Sequence, residues 1–222
     1  HLVKASHASG GSAGNSMIAT AQFGAATFMS CKVASDADGD IYLADLEAAG
    51  VDHCLNGERA AGTTGKCLVL ITADAERSMN TFLGISETLS PAQLDPAAIA
   101  ASQFLYVEGY LVTSPTGLAA AVEAVEIARS RGVKTSLSFS DPGMVEYFRE
   151  GMASIVGDGL DLIFCNEAEA LGWGETDNLE VAIEKLKRAA RTFVITRGAE
   201  GALTYDGEAL VEIPPHRVHA VD

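Results

Sequence analysis

Leu160-Asp161-Leu162-Ile163-Phe164-Cys165 runs without a spacer into Asn166-Glu167-Ala168-Glu169. A six-residue run, apolar but for Asp161, that ends on a capping residue and two glutamates reads as a buried strand feeding a short helix over 167–171. The same grammar continues outward on both sides. Upstream, 104–107 reads as a strand and about 115–131 as a helix with Leu118, Val122 and Val125 on its apolar face. Gly132 stops that helix, 135–139 is the next strand, and 143–156 reads as one helix. Downstream, 179–190 reads as a helix and 192–196 as a strand. Strands that alternate with helices of this length predict βαβ crossovers and an α/β fold with a doubly wound, mainly parallel sheet. A hairpin over 201–205 and 209–213, turned by Asp206-Gly207, closes the series.

Residues 51–86 break the alternation. Two extended runs, 66–72 and 77–83, are joined through Ala73-Asp74-Ala75-Glu76 with no helix between them. A strand pair inserted into an α/β chain suits a flap over a site. The expected division is therefore a core of 1–50 and 87–222 with a β-strand lid at 51–86.

Composition narrows the partners. The chain has 222 residues, 48% of them apolar and 20% charged, with a formal charge of −15. So acidic a surface disfavours nucleic acid and anionic membranes, which call for a basic stripe. No apolar run approaches the roughly 18 residues of a membrane helix. Cys31, Cys54, Cys67 and Cys165 are scattered, with no CxxC, as in a reduced cytoplasmic protein.

Three segments carry chemistry. Gly10-Gly11-Ser12-Ala13-Gly14-Asn15-Ser16 precedes a helical run over 17–23. Bare glycine backbone admits a ligand, and the Asn15 amide can meet vicinal hydroxyls; the plainer reading is a loop with a helix cap. Asn166 and Glu169, three apart, share a helix face at the C-terminal end of a strand, where open α/β sheets bind ligands. Glu169 could there hold water around Mg²⁺ and Asn166 meet a phosphate, or the pair could simply cap a helix. Thr196-Arg197-Gly198, with Gly201 three residues on, follows the next strand and suits phosphates lying against backbone N–H groups; an ordinary strand-to-hairpin turn is the alternative. Asp36-x-Asp38-x-Asp40 with Glu47 imitates a calcium loop, but Ile41 stands where the sharp turn needs glycine. That segment reads instead as an acidic start to a helix over 42–49. Arg77, on the lid, could cover a transferring phosphoryl group or be an exposed strand arginine.

Taken together and in order, these segments resemble the ribokinase-like (PfkB) family of carbohydrate and nucleoside kinases. Ser9 through Asn15 and Glu76-Arg77-Ser78-Met79-Asn80-Thr81-Phe82-Leu83-Gly84 are most similar to its bacterial adenosine-kinase-like branch. Glu108-Gly109-Tyr110-Leu111, Leu137-Ser138-Phe139-Ser140-Asp141-Pro142 and Asn166-Glu167-Ala168-Glu169 add to the likeness. The resemblance implies the three-layer ribokinase-like fold and ATP- and Mg²⁺-dependent phosphorylation of a primary hydroxyl on a nucleoside or sugar. It implies that Gly10, Gly11, Asn15 and Arg77 meet the substrate, and that Asn166, Thr196, Arg197, Gly198 and Gly201 line the nucleotide site. Glu169 would act on Mg²⁺ through water. Asp222 would serve a monovalent cation, K⁺, as the first member of a D-T-x-G-A-G-D motif whose catalytic base is expected after it. The chain as given is thus expected to be a fragment lacking both ends and the catalytic base. Relatives are monomers or dimerise through the lid. The competing expectations are a ribokinase- or fructokinase-like sugar kinase and a catalytically silent small-molecule binder on the same fold.

Overall fold

The computed structural model describes residues 7–55, 59–72 and 77–216. Its contacts cluster into two compact units, His1–Asp95 and Pro96–Asp222. Among the described residues, no helix is long and apolar enough to cross a membrane.

The second unit is built on a six-stranded sheet of order β10-β9-β8-β7-β6-β5. Strands β5 (Phe104–Glu108), β6 (Lys134–Ser138), β7 (Leu160–Asn166) and β8 (Ala190–Thr196) are parallel neighbours. β9 (Ala202–Tyr205) and β10 (Leu210–Ile213) add an antiparallel edge. Helices connect the parallel strands, as parallel pairing demands. After the short helix α3 (Pro96–Ala101) and β5, α4 (Pro115–Ser130) starts on Ser114, whose hydroxyl accepts the Gly117 N–H, with Pro115 next in line. Its buried Ala120, Ala121, Ala124, Val125 and Ala128 form one helical stripe.

The helix expected over 143–156 is two helices, α5 (Pro142–Tyr147) and α6 (Arg149–Val156). Phe148 interrupts them at φ −121°, ψ 31°, outside the helical well. The short helix after β7 runs further than expected, as α7 (Glu167–Gly174), and α8 (Leu179–Ala189) follows on an Asn178 cap. Leu137, Ile163, Phe193 and Ile195 from the strands pack with Val125, Val145, Met152, Ile155, Ala170 and Leu186 from the helices. Each such large, fully buried side chain contributes about 1.5–3 kcal/mol. Phe193 also stacks on Tyr205, ring centroids 5.3 Å apart, tying the edge hairpin to the core.

In the first unit, α1 (Ser12–Gln22), β1 (Thr27–Met29), α2 (Ala37–Ala48) and β2 (Val51–His53) make a small parallel β1–β2 pair with two helices. Cys31, Leu46 and Val51 form its core, with Met17, Ile18 and Tyr42 packed against them. β3 (Lys66–Ile71) and β4 (Arg77–Phe82) form a separate two-stranded antiparallel sheet, the pair expected as a lid. Every residue of β3 is exposed. The connection at 73–76 lies outside the described residues.

Candidate functional site

The C-terminal ends of four parallel strands gather the polar residues of the second unit. Register pairs Glu108 with Ser138 and Asn166 with Thr196. At the end of β7, Asn166 caps α7 in a reciprocal box. Its Oδ1 accepts the Glu169 N–H (2.8 Å), while Glu169 Oε2 accepts the Asn166 N–H (2.9 Å). The Asn166 Nδ2 also donates to Glu169 Oε1 (2.9 Å). The plain capping reading is therefore realised, with both Glu169 carboxylate oxygens engaged by Asn166. Glu169 is only 4% exposed. Burial pushes its carboxyl up from the ordinary range, against the Asn166 N–H that pulls it down, and the charges of Asp141 and Glu108 push in the same direction as burial.

Glu108, Ser140 and Asp141 complete this cluster, although sequence reading gave them no role. Ser140 sits at φ 72°, a left-handed conformation for a residue with a side chain. Its hydroxyl accepts the Gly109 N–H (2.8 Å) and donates to Glu108 Oε2 (2.8 Å). Glu108 Oε1 accepts from Tyr106 (2.9 Å), and the Tyr110 hydroxyl donates to the Ser140 carbonyl (3.2 Å). Their position just past the strands at 104–107 and 135–139, level with Asn166, was the available signal.

Arg197 follows β8 and is held by two carboxylates: its Nε donates to Glu167 Oε2 (2.7 Å) and its Nη2 to Glu200 Oε2 (2.6 Å). Thr196 is exposed, and at Gly198 an added Cβ would meet nothing within 4 Å. Gly198 and Gly201 both sit at positive φ, 54° and 89°, which already favours glycine. At Gly201 a Cβ would also overlap the Ile213 carbonyl, so the turn from β8 into β9 requires glycine there. The far end of α7 is anchored too. Arg149 donates to the Gly172 (3.1 Å) and Trp173 (2.7 Å) carbonyls and lies over the Trp173 ring.

In the first unit, the helix expected from residue 17 begins at Ser12, so Asn15 stands in its first turn rather than in a loop. Gly11, at φ 91°, is its N-cap, and no side chain caps the helix there. Around Gly10 and Gly11 an added Cβ would meet nothing within 4 Å, and Asn15 is exposed. Two contacts with α2 hold the segment: Ser9 donates to Asp45, and Gly14 packs so closely that a Cβ would stand 2.7 Å from the Tyr42 hydroxyl.

The acidic run is the start of α2. Asp36 caps it by accepting the Gly39 N–H (2.9 Å), Asp38 pairs with Lys66, and Asp40 with Arg59. The helix begins at Ala37, earlier than the expected 42. Arg77 opens β4, its backbone opposite Ile71. Asp222, the expected cation site, lies outside the described residues.

Hard carboxylate oxygens suit Mg²⁺, which keeps most of its water. Among the described residues, no three His, Cys, Asp or Glu side chains converge as direct ligands. Glu169, with Asp141 and Glu108 facing it, supplies oxygens of that kind at the strand ends.

A family model described as pfkB family carbohydrate kinase matches residues 2–222. The chain belongs to this family. A ribokinase from Staphylococcus aureus (strain COL) is 26% identical over 100% of this chain and 72% of its own length. An adenosine kinase from Schizophyllum commune is 34% identical over 61% of this chain and 40% of its own. The crystal structure of adenosine kinase from Sinorhizobium meliloti superposes with a TM-score of 0.92 at 32% identity, covering 99% of this chain and 67% of that one. The pfkB-family chain therefore has the ribokinase-like α/β fold, and it spans about 40–72% of the length of these relatives.

Proposed function

We propose that the protein transfers the terminal phosphoryl group of Mg·ATP to a primary hydroxyl of an adenosine-like nucleoside. The observation that carries this reading is the Asn166–Glu169 box, with Glu169 buried, at the mouth of a parallel sheet, in a chain similar to two adenosine kinases. Phosphoryl transfer rests on positioning and charge stabilisation more than on covalent chemistry, so a rigid carboxylate and open backbone N–H groups are its natural equipment. Glu169 would orient water around Mg²⁺, and Asn166 would meet a phosphate oxygen. Thr196, Arg197, Gly198 and Gly201 would line the nucleotide. Bound Mg²⁺ would offset charge on the phosphates. Gly10, Gly11 and Asn15, with the uncapped first turn of α1, would receive the substrate hydroxyls, and Arg77 with the β3–β4 pair would act as a lid. Leu70, Met79, Phe82 and Leu83 of that segment are exposed and offer an apolar surface to a base. The base that takes the hydroxyl proton is expected beyond Asp222.

The ribokinase likeness over the whole chain favours a second reading, a sugar kinase with the same mechanism. ADP release from Mg·ATP by the full-length protein, with adenosine, other nucleosides, ribose and fructose, separates the two. The proposal expects the highest kcat/KM with adenosine. A preference for ribose or fructose would transfer the assignment to the sugar reading, and silence across the panel would favour a non-catalytic binder.

A further inference from the structure

Two cysteines that are distant in sequence meet at the end of the β1–β2 pair. Met29 lies opposite His53, and the Cys54 N–H donates to the Met29 carbonyl (3.3 Å), which brings Cys54 alongside Cys31. The Cys31 N–H donates to Cys54 Sγ and the Cys54 thiol to the Cys31 carbonyl, both at 3.4 Å. Neither cysteine is in a disulfide. Their environments differ: Cys31 is 6% exposed in the core beside Leu46 and Val51, whereas Cys54 is half-buried.

We propose that this pair is an oxidation site for hydroperoxides, with Cys54 as the thiol that is attacked and Cys31 as the thiol that resolves it. The Cys54 sulfur, as thiolate, displaces hydroxide from hydrogen peroxide and becomes a sulfenic acid, so the peroxide is reduced to water once the hydroxide is protonated. The Cys31 thiol then attacks the Cys54 sulfur and a second water leaves, closing a Cys31–Cys54 disulfide. Two electrons leave the sulfurs and two enter the peroxide. A thiol reductant reverses the step by exchange.

The surroundings support this division of labour. The adjoining Cys31 side chain does most to push the Cys54 thiol down to about 6, helped by the Cys31 N–H that donates to its sulfur and by neighbouring His53, against the opposing pull of burial. Cys31 is pushed up by its contact with Cys54 and by burial, which directs the peroxide to Cys54. The other two cysteines lack this arrangement. Cys67 is exposed on β3, where it accepts from the Thr81 hydroxyl, and Cys165 is buried in β7 with burial pushing its thiol up. Cys31 also packs against Tyr42, which lies under Gly14 of α1, so the bond would form next to the helix that bears Asn15.

The test is a peptide map of the full-length protein by mass spectrometry after a brief, limited exposure to hydrogen peroxide and alkylation of the remaining thiols. The expected result is a Cys31–Cys54 cross-linked peptide, lost on treatment with dithiothreitol, with Cys67 oxidised at least tenfold more slowly. In Cys31→Ser, a cyclic 1,3-dione should capture sulfenic acid at Cys54 with no intramolecular disulfide. Oxidation of Cys67 as fast as Cys54, or a disulfide from Cys54 to any thiol other than Cys31, overturns the proposal. The wild-type map decides the matter even if the variant does not fold. It reads sulfur chemistry alone, so its outcome is independent of whether the protein is a kinase.

Discussion

Glu169 owes its character to the water it has lost. A carboxylate at 4% exposure, facing the charges of Asp141 and Glu108, prefers its protonated form more than an unfolded one does. Its contribution to stability is therefore present at low pH and is lost as the pH rises from the ordinary glutamate range through its raised value. A bound dication would reverse that preference. Glu169→Gln keeps an acceptor for the Asn166 N–H and removes the buried charge. It should leave the unfolding temperature within a few degrees of wild type, because relief of desolvation offsets the weakened box. The same substitution should lower kcat by about 10–100-fold and raise the Mg²⁺ needed for half-maximal rate, as losses around a metal's water shell do. Steady-state kinetics with Mg²⁺ titration checks this, and wild-type kinetics in the variant would remove Glu169 from the site. The Asn166–Glu169 spacing was legible because a capping box is local. Ser140 and Glu108 were not, because their bond joins residues 32 apart and supports a backbone angle that no local rule predicts.

Element boundaries followed local chemistry where the cap was local and departed from it where packing intervened. α1 begins five residues earlier than its apolar run because Gly14 fits beneath Tyr42 and lets α1 approach α2. The α5–α6 break at Phe148 frees Arg149 to hold the carbonyl end of α7, a purpose invisible in the periodicity of 143–156. α2 shows how one cap couples a helix to pH. Hydrogen bonds from the Thr64 hydroxyl, the Thr64 N–H and the Gly39 N–H hold the Asp36 carboxyl down to about 2, from an ordinary 3.8. With the folded value depressed, this stabilisation is complete above about pH 4 and is lost as the pH falls through 2. Asp36→Asn caps the helix without the charge. Thermal midpoints measured from pH 6 to pH 2 should show wild type above the variant near neutrality, with the gap closing toward pH 2. A constant gap would mean that the charge does no work there.

At the scale of the whole molecule, the alternation of strands and helices was readable because each parallel strand needs a covering helix, and each left its own hydrophobic period. The meeting of Cys31 with Cys54 was not readable, since it depends on the β1–β2 register and neither three-residue strand has a period to detect. A chain of formal charge −15 has few cations to offer a nucleotide, and Arg197 is already engaged by Glu167 and Glu200. On the proposed function, recognition of phosphates would rest largely on backbone N–H groups, helix starts and bound Mg²⁺, and the turn at Gly198, where an added Cβ would meet nothing within 4 Å, leaves room for them. The most direct test of that account identifies the product. In ³¹P NMR of the full-length protein with Mg·ATP and adenosine, the account predicts ADP together with an equal amount of a phosphate monoester split by two neighbouring CH₂ protons, the mark of a primary hydroxyl. Inorganic phosphate in place of the ester, or an unchanged ATP spectrum, would contradict it.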